Sequence, residues 1–330
     1  MARVFTEGAE TGNQLFWDVA NGSFATNGVI TTAPRSGLYH YYISTDGNWY
    51  GIKNFSGLSE FYFRMGIRKL VSGSGLVIFR NSTTNLLSIT RNAALRLVNS
   101  IGGGVSSTTI TNNKWYLLEV YYKIADSGGV IQIKIDGVIQ PEMSVSGDTK
   151  PGSATTVDNF IIGSNANCYY DDIALNNTNG SVDNSWCGDG KIIALVPNGD
   201  SGTPQWIGSD GNNTNNYQLI DERPPSSSDY VRATGSAYTD VYNLSTVNLA
   251  GQTIQRIWVV SNAKSDTAGD YFLHGIKISG TSYLVTGSLP TSFNKIDIQS
   301  TGTWALNPYT GGAWNQEQLD NLLLVIKAPG

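Results

Sequence analysis

The sequence predicts an all-β protein made of two antiparallel jelly-roll β-sandwich domains, with one short helix near the C-terminus. The composition, with 37 Gly, 17 Tyr and 8 Trp but only 14% charged residues, is typical of a strand-rich chain with many tight turns. Apolar and polar residues alternate along many short segments, as they do in half-buried strands. A length of 330 residues exceeds what one ordinary sandwich needs and is sufficient for two.

The first predicted domain spans residues 1–178. Its alternation is clearest in the segment FYFRMGIRK, where Phe61, Phe63 and Met65 share one face and polar side chains share the other. Segments of the same kind recur at short intervals between clusters of Gly, Asn, Ser and Thr, which favours an antiparallel sandwich. In IQIKIDGVIQ, the pair Asp136-Gly137 offers the positive φ angles of a type I′ turn and predicts a β-hairpin.

The second predicted domain spans residues 179–330. The Asn-rich segment NNTNGSVDN, at 176–184, lacks hydrophobic periodicity and is interpreted as the linker between the domains. A second series of strand-like segments follows it and ends in LLLVIKA. Before that last strand, Asn315 and Gln318 have the spacing of a capping box and predict a short helix that turns Leu319 inward.

Charge and hydropathy exclude several classes of function. With a net charge of -5 and a pI near 5.0, the chain has no broad attraction for nucleic acid or for an anionic membrane surface. No window approaches the roughly 18 consecutive apolar residues of a membrane span, and the first residues lack the apolar core of a cleaved leader. We therefore expect a soluble chain that is not exported by a cleaved leader and has no nucleic-acid or membrane partner.

The cysteines and histidines form no recognisable metal or nucleophile motif. Cys168 and Cys187 are too few for a disulfide framework, and the sequence leaves open either one bridge across the interdomain region or two free thiols. His40 and His274 have neither metal-ligand spacing nor a nucleophile elbow beside them, and they are interpreted as structural.

Two adjacent acids, Asp171 and Asp172, interrupt the strand-like segment CYYDDIAL. Neighbouring side chains of a strand point to opposite faces, so this pair is not expected to work as an acid and a base. The sequence also lacks the alternating carboxylates with which sandwich glycosidases act on a sugar. We therefore expect a protein without enzymatic activity and without an organic cofactor.

Aromatic residues give a candidate ligand site. Sandwich domains that bind carbohydrate stack pyranose rings on exposed Trp and Tyr side chains, and the candidates here are Trp49, Tyr50, Trp115 and Tyr121. The alternative is that these rings serve the core and cross-strand pairs, where burying one contributes roughly 1.5 to 3 kcal/mol. The sequence leaves both interpretations open.

The order of features in the first domain resembles the concanavalin A-like, or laminin-G-like, jelly-roll superfamily. These features are an acidic N-terminal strand (VFTEGAETG, residues 4–12), the Trp-led strand KWYLLEVYYKI, the hairpin IQIKIDGVIQ and the closing segment YYDDIAL. The resemblance implies that Glu7 meets Asp172, and more weakly Asp171, where the first and closing strands pair. Those acids would form hydrogen bonds or hold a structural calcium ion, which needs six to eight oxygen ligands.

The wider arrangement resembles structural proteins of tailed bacteriophages. It consists of FTEGAETG, then DDIAL, then NSWCGDGKIIALVPNGD and a second β-domain. The resemblance implies a virion protein, assembled in the host cytoplasm, that serves as a capsid decoration, head fibre or tail appendage in assembly or host attachment. Its implied partners are other virion proteins, copies of itself in a homo-oligomer such as a trimer, and host-surface glycans. A carbohydrate-binding, lectin-like module is the alternative, and the two roles are compatible.

Overall fold

A computed structural model of the chain describes residues 3–22, 24, 28–44, 49–69, 75–163, 167–292, 294–297 and 303–330. The chain divides into two compact units, Met1–Ile193 and Ala194–Gly330. Antiparallel strands make up most of the regular structure in each unit. The predicted all-β fold class is therefore confirmed. No helix within the described ranges is long and apolar enough to cross a membrane.

The strands of the first unit are 2 to 10 residues long and are numbered here in chain order. They are β1 (Arg3–Glu7), β2 (Val19–Asn21), β3 (Val29–Ile30), β4 (His40–Ile43), β5 (Tyr50–Leu58), β6 (Glu60–Lys69), β7 (Gly75–Asn81), β8 (Thr84–Arg91), β9 (Arg96–Asn99), β10 (Val105–Thr109), β11 (Tyr116–Lys123), β12 (Gly129–Ile135), β13 (Val138–Ile139), β14 (Val145–Gly147), β15 (Val157–Gly163) and β16 (Cys168–Asn177). A 3-10 helix spans Pro141–Met143.

Two antiparallel sheets form a sandwich in the first unit. The nine-stranded sheet has the order β13-β12-β11-β6-β16-β4-β3, with β1 also paired to β16 and β14 to β12. The seven-stranded sheet has the order β10-β9-β8-β7-β15-β5-β2. Between them, the ring centroid of Phe63 lies 5.1 Å from those of Phe79 and Phe160. Contacts of this kind between the two sheets build the core of the predicted sandwich.

The predicted hairpin shows how the period-two pattern is used. Ile131, Ile133 and Ile135 of β12 are buried, and the residues between them are only partly buried. Asp136 and Gly137 follow with φ angles of 50° and 78°, the left-handed geometry of a type I′ turn. Strand β13 then pairs back onto β12, so the hairpin prediction is confirmed.

Among its described residues, the second unit has one larger sheet and three small ribbons. Its strands are β17 (Pro197–Asp200), β18 (Ile207–Gly208), β19 (Val231–Arg232), β20 (Thr239–Leu244), β21 (Ile257–Trp258), β22 (Val260–Ala263), β23 (Tyr271–Ile278), β24 (Thr281–Ser288), β25 (Asn294–Asp297), β26 (Thr303–Trp304) and β27 (Leu323–Lys327). The five-stranded sheet has the order β17-β20-β27-β23-β24, and the ribbons are β18-β19, β21-β26 and β22-β25. A 3-10 helix spans Asn216–Leu219 and the α-helix α1 spans Gln316–Asp320.

The helix α1 has the predicted capping box. The Asn315 side chain accepts from the Gln318 N–H at 2.9 Å, and the Gln318 side chain accepts from the Asn315 N–H at 3.2 Å. Leu319 and Leu322 are buried in the core of the second unit, and the chain continues directly into β27. The prediction of a short helix near the C-terminus is confirmed.

The first unit extends beyond residue 178, where the sequence analysis ends the first domain. The segment 179–193 stays with this unit and buries Cys187 and Ile192, which are 3% and 6% exposed. This segment has no strand, and its few apolar residues are widely spaced, so hydrophobic periodicity cannot reveal that it packs. The boundary defined by contacts lies between Ile193 and Ala194.

Candidate ligand-binding face

The outer face of the nine-stranded sheet carries the candidate site. In β4, Tyr41 and Ile43 are buried between the sheets, so His40 and Tyr42 point to the other face. The neighbouring strand β16 adds Tyr169, which lies directly opposite Tyr42 in the register. Alternation in adjacent strands therefore places aromatic rings side by side on the outer face.

These rings form one contiguous cluster, called here the Tyr169 group, which comprises His40, Tyr42, Trp49, Trp115 and Tyr169. The Tyr169 ring centroid lies 4.8 Å from that of His40, 5.3 Å from that of Tyr42 and 6.5 Å from that of Trp115. The Trp49 centroid lies 6.0 Å from that of Tyr42. His40 is fully buried, whereas the other four side chains are partly exposed. The group therefore has a buried histidine ring next to four aromatic rings whose surface is partly accessible.

Polar groups orient the rings of the Tyr169 group. The Arg68 guanidinium lies 5.1 Å from the centroid of Tyr169, its cross-strand partner. The Trp115 Nε1–H donates to the backbone oxygen of Ala33 at 3.1 Å. The Tyr42 hydroxyl donates to Oδ1 of Asn167 at 3.4 Å. Hydrogen-bonding groups thus lie directly beside the aromatic surface.

His40 acts as an uncharged ring within this cluster. Burial, followed by the positive charge of Arg68, lowers the pKa of His40 to about 4. Its ring lies nearly perpendicular to those of Trp115 and Tyr169, with interplanar angles of 86° and 84°. Its surroundings agree with the structural role expected from the sequence.

A second aromatic cluster lies on the same outer face, farther along β6 and β11. Tyr62 and Tyr121 are cross-strand partners whose rings stack, with centroids 4.6 Å apart and planes 18° apart. Trp186 meets them edge to face at 5.4 and 6.2 Å. The Lys134 Nζ lies 3.8 Å from the Trp186 centroid. We call these four residues the Trp186 group.

A charged cross-strand pair holds the backbone next to Trp186. Arg64 and Glu119 are opposite each other in β6 and β11, and both are 2% exposed. The Arg64 Nη1 donates to the Gly188 carbonyl at 2.9 Å, and Oε1 of Glu119 accepts from the Gly188 N–H at 2.9 Å. Both the carbonyl and the N–H of Gly188 are therefore hydrogen-bonded to side chains of the sheet. These two bonds fix the nearby Trp186 over the sheet.

Asp171 and Asp172 do not point to opposite faces, so the expected orientation of their side chains is wrong. Asp172 has a φ of 51°, and the register between β16 and β6 shifts between Asp171 and Ala174, which marks a β-bulge. Oδ2 of Asp171 accepts from the Ser36 N–H at 3.1 Å, and Oδ1 of Asp172 accepts from the Ser36 hydroxyl at 2.6 Å. The bulge brings both carboxylates to the same short segment.

Asp172 is the centre of a buried network. Its Oδ1 also accepts from the Ile192 N–H at 2.7 Å, and its Oδ2 accepts from Arg35 Nη1 at 2.5 Å. Arg35 pairs in addition with Asp189. Burial, followed by the charge of Asp172, raises the pKa of Asp171 to about 9, although backbone N–H groups oppose this shift. The network ties the segment that contains Asp189 and Ile192 to the first unit.

Glu7, the third acid expected at this place, lies in β1 opposite Ile173 of β16, so the expected strand pairing is present. Its Oε1 accepts from the Tyr41 hydroxyl at 3.0 Å and from the Ala9 N–H at 2.5 Å. Across the part of the chain that the structure describes, no group of three or more His, Cys, Asp or Glu side chains is placed to hold a metal ion. Binding of calcium at Glu7, Asp171 and Asp172 stays a prediction.

The four aromatic residues predicted to bind carbohydrate fall in three places. Trp49 and Trp115 both belong to the Tyr169 group, which joins them through the rings between them. Tyr121 belongs to the Trp186 group. Tyr50 begins β5 in the smaller sheet, opposite Gly163.

Sequence reasoning does not assign six residues of these clusters to a ligand site, namely His40, Tyr42, Tyr62, Lys134, Tyr169 and Trp186. The pattern around Tyr42 and Tyr169 contains the signal that could find them, because each lies between two residues that are buried in the core. No comparable signal exists for Trp186, whose segment forms no strand. Its position depends on the bonds that the neighbouring backbone makes to β6 and β11.

The two cysteines are both free and buried. Burial raises the pKa of Cys168 and that of Cys187 to about 11, so both are protonated thiols near neutral pH. Of the two alternatives left open by the sequence, the structure shows free thiols rather than a bridge.

No protein-family model matches the chain, and no curated protein matches it. Solved structures that are similar to part of it include the cellulose-induced protein Cip1, with a TM-score of 0.41 and 16% identity, covering 56% of this chain and 100% of that one. The catalytic domain of a glycoside hydrolase family 131 protein from Coprinopsis cinerea has a TM-score of 0.36 and 14% identity, covering 57% and 99%. The carbohydrate-binding module CBM66 from Bacillus subtilis has a TM-score of 0.32 and 14% identity, covering 50% and 98%.

Proposed function

We propose that the first unit is a carbohydrate-binding module and that the Tyr169 group is its binding surface. The observation that carries this proposal is the continuous contact of four partly exposed rings, from Trp49 through Tyr42 and Tyr169 to Trp115. Aromatic faces offer large apolar contact area at low conformational cost, and their edges and neighbours supply polar contacts. Such a surface suits the apolar faces and hydroxyl-bearing edges of sugar rings.

The arrangement favours a chain of several sugars over a single one. The four rings are spread over β4, β16 and the residues just before β5 and β11, so they cover a broad surface rather than one deep cavity. Arg68 lies among them as a hydrogen-bond donor for hydroxyl groups. A platform of this kind accommodates successive residues of an oligosaccharide or polysaccharide.

The proposed role is binding without catalysis. A glycosidase places two carboxyl groups on either side of a scissile bond, separated by roughly 5 to 9 Å of space that the sugar occupies. Asp171 and Asp172, the most conspicuous acids of the sequence, are fully buried and accept hydrogen bonds from Ser36 and its neighbours. Their contacts are those of structural residues.

A glycan array probed with the purified protein tests this function, followed by titration of the best ligand. We expect an affinity in about the millimolar range or tighter. Trp115→Ala should weaken it by about tenfold or more, because the variant removes one of the rings. Tyr50→Ala, in the smaller sheet, is the matched control and should bind as the wild type does. Equal binding by Trp115→Ala, or no binding to any glycan, would overturn the proposal.

A virion role remains a second proposal and is compatible with the first. Two of the segments on which the phage resemblance depends, DDIAL and NSWCGDGKIIALVPNGD, are joined where Oδ1 of Asp172 accepts from the Ile192 N–H. Their combination in the sequence thus has a common structural cause, and the virion role itself rests on the resemblance. Detection of the protein in purified phage particles by mass spectrometry would support that role, and size measurement of the purified protein would test its homo-oligomeric state. Absence of the protein from the particles would refute the virion role.

A further inference from the structure

A cleft beside the Trp186 group forms a second candidate ligand site in the first unit. It has a volume of about 340 Å³, and its lining includes Trp186, Lys134, Glu119, Asp136 and Asp189. This volume is at the lower end of those that hold small ligands. The cleft therefore suits a small head group rather than a sugar chain.

The charged groups of the cleft are mainly carboxylates. Glu119 is 2% exposed, and one of its oxygens is bound to the Gly188 N–H. Oδ1 of Asp136 accepts from the Leu117 N–H at 2.7 Å. Asp189 is paired with Arg35. Each carboxylate is thus held in place by the protein, although Arg35 offsets the charge of Asp189 and Arg64 lies opposite Glu119.

The position of the Lys134 ammonium indicates that the cleft accepts a cation. It is the cross-strand partner of Glu119, yet its ammonium lies on the face of Trp186, 3.8 Å from the ring centroid. A cation over an indole face is stabilised by the ring quadrupole, and this stabilisation is larger where the pair is desolvated. The chain's own ammonium therefore already occupies an aromatic face in a cleft whose lining includes three carboxylates.

The aromatic face is rigid, whereas the ammonium is tethered by a flexible stem. Tyr62 and Tyr121 support Trp186 at its edges, and the bonds to Gly188 fix its backbone. The four-carbon side chain of lysine can leave this position by rotating its own torsions. An external cation can therefore take the place of Lys134 without a change in the sheet.

We propose that this cleft binds the organic ammonium group of a small ligand, which replaces the Lys134 ammonium on Trp186. Glu119 and Asp136 supply the negative charge, and the indole supplies the apolar, polarisable surface. This site is separate from the Tyr169 group and does not depend on sugar binding there. Choline, a quaternary ammonium compound, is the probe that matches this chemistry.

The proposal predicts that the Lys134 ammonium competes with an added cation for the face of Trp186. Because the side chain of Lys134 is tethered next to the site, it lowers the apparent affinity for any added cation. Lys134→Met should therefore bind choline about tenfold more tightly than the wild type. A site in which Lys134 itself bound the ligand would show the opposite change.

Calorimetric titration of the full chain with choline, and with its uncharged isostere 3,3-dimethyl-1-butanol, tests the proposal. We expect choline to bind and the isostere not to bind. Trp186→Phe keeps a ring but offers a weaker cation surface, and Asp136→Asn keeps the acceptor for Leu117 but removes a charge. Both variants should weaken choline binding. Lys114→Met is the matched control, since the Lys114 Nζ lies over another ring, 4.8 Å from the Tyr116 centroid.

The outcomes separate cleanly. Tighter choline binding by Lys134→Met, with no change in Lys114→Met, supports the cation site. Unchanged or weaker binding by Lys134→Met, equal binding of the uncharged isostere, or no choline binding by either the wild type or Lys134→Met overturns it. Thermal unfolding curves of each variant show whether a loss of binding reflects a loss of folding.

Discussion

The two aromatic groups on the outer face of the nine-stranded sheet differ in how the chain uses them. In the Trp186 group, hydrogen bonds to Arg64 and Glu119 hold Gly188, two residues after Trp186, against the sheet. The Lys134 ammonium covers a face of the Trp186 indole. The Tyr121 hydroxyl in that group donates to Glu60 at 2.6 Å. The Tyr169 group instead comes from β4, β16 and the ends of loops, and four of its rings are partly exposed.

This difference teaches that aromatic content alone does not show which aromatic group binds sugar. Both groups arise from the same period-two alternation, and both contain a residue predicted from the sequence to bind sugar, namely Tyr121 in one and Trp115 in the other. What separates them is the part of the chain that returns to the sheet after β16. The predictions below test that separation.

Removal of residues 179–193, which pack on the first unit after β16, should have the largest effect on stability. An isolated first unit that ends at residue 178 lacks Trp186, Cys187 and Ile192, and Asp172 loses its bond from the Ile192 N–H. We expect it to lose about 4 kcal/mol or more of unfolding free energy relative to a unit that ends at residue 193, because apolar burial and a partner of a buried charge are both lost. Urea unfolding of the two chains measures this difference, and equal stability would contradict the assignment of the segment to the first unit.

Asp172→Asn should have the next largest effect. The variant leaves Arg35 without its fully buried carboxylate, which should cost about 3 kcal/mol of unfolding free energy and lower the melting temperature. Asp189→Asn, which changes the exposed partner of Arg35, should cost less than about 1 kcal/mol. Sugar binding should be intact in both variants. Unchanged stability with lost binding in Asp172→Asn would reverse the structural role assigned to this residue.

Trp186→Ala and Trp115→Ala sharpen the comparison between the groups. Trp186 contacts two tyrosine rings and an ammonium, so its removal should cost about 2 kcal/mol of unfolding free energy. Trp115→Ala should cost only about 1 kcal/mol, because that ring has fewer contacts of this kind. Chemical denaturation of both variants checks the order, and a larger loss in Trp115→Ala would indicate that the Tyr169 group is the more structural one.

Acid should affect the two groups unequally. The pKa of His40 falls to about 4 in the folded chain, below the value of about 6.5 in an unfolded one, so the unfolded state binds the proton more readily between these pH values. The stability that neutral His40 contributes is complete above about pH 6.5 and is lost as the pH falls toward 4. The Trp186 group contains no histidine and should lack this dependence.

Melting curves between pH 7 and pH 4 test this expectation. His40→Phe, which keeps a ring beside Arg68, should reduce the fall in melting temperature of the first unit by roughly 2 to 4 °C. His274→Phe is the matched control in the second unit, where burial lowers the pKa of that histidine to about 4 as well. An identical acid response in the wild type and His40→Phe would mean that His40 is not the group that titrates.

The parts of the fold that follow from local patterns could be predicted from the sequence. Alternation of Ile131, Ile133 and Ile135 and the turn at Asp136-Gly137 specify one hairpin, and the capping box at Asn315 specifies the helix. In each case the determining residues lie within a few positions of one another, so their physical preferences can be recognised without knowledge of the rest of the chain.

The parts that depend on distant contacts could not be predicted. The bulge at Asp172 reverses the direction expected from strand alternation, and its partners Ser36 and Ile192 are far away in the sequence. The position of Trp186 depends on Arg64 and Glu119 in two other strands. The candidate site was therefore only partly predictable: Trp49 and Trp115 stand out as aromatic residues near strand ends, but the sequence does not show that Tyr169 joins them.

The most direct test of the central claim compares one tyrosine from each group. Tyr169 and Tyr121 are both partly exposed residues of central strands on the same sheet face, so replacement of either by alanine removes a similar ring. The glycan selected on the array is titrated into Tyr169→Ala and Tyr121→Ala by calorimetry. Binding weakened about tenfold or more in Tyr169→Ala, with wild-type affinity in Tyr121→Ala, is the result we predict. Wild-type affinity in Tyr169→Ala, or an equal loss in both variants, would contradict the account.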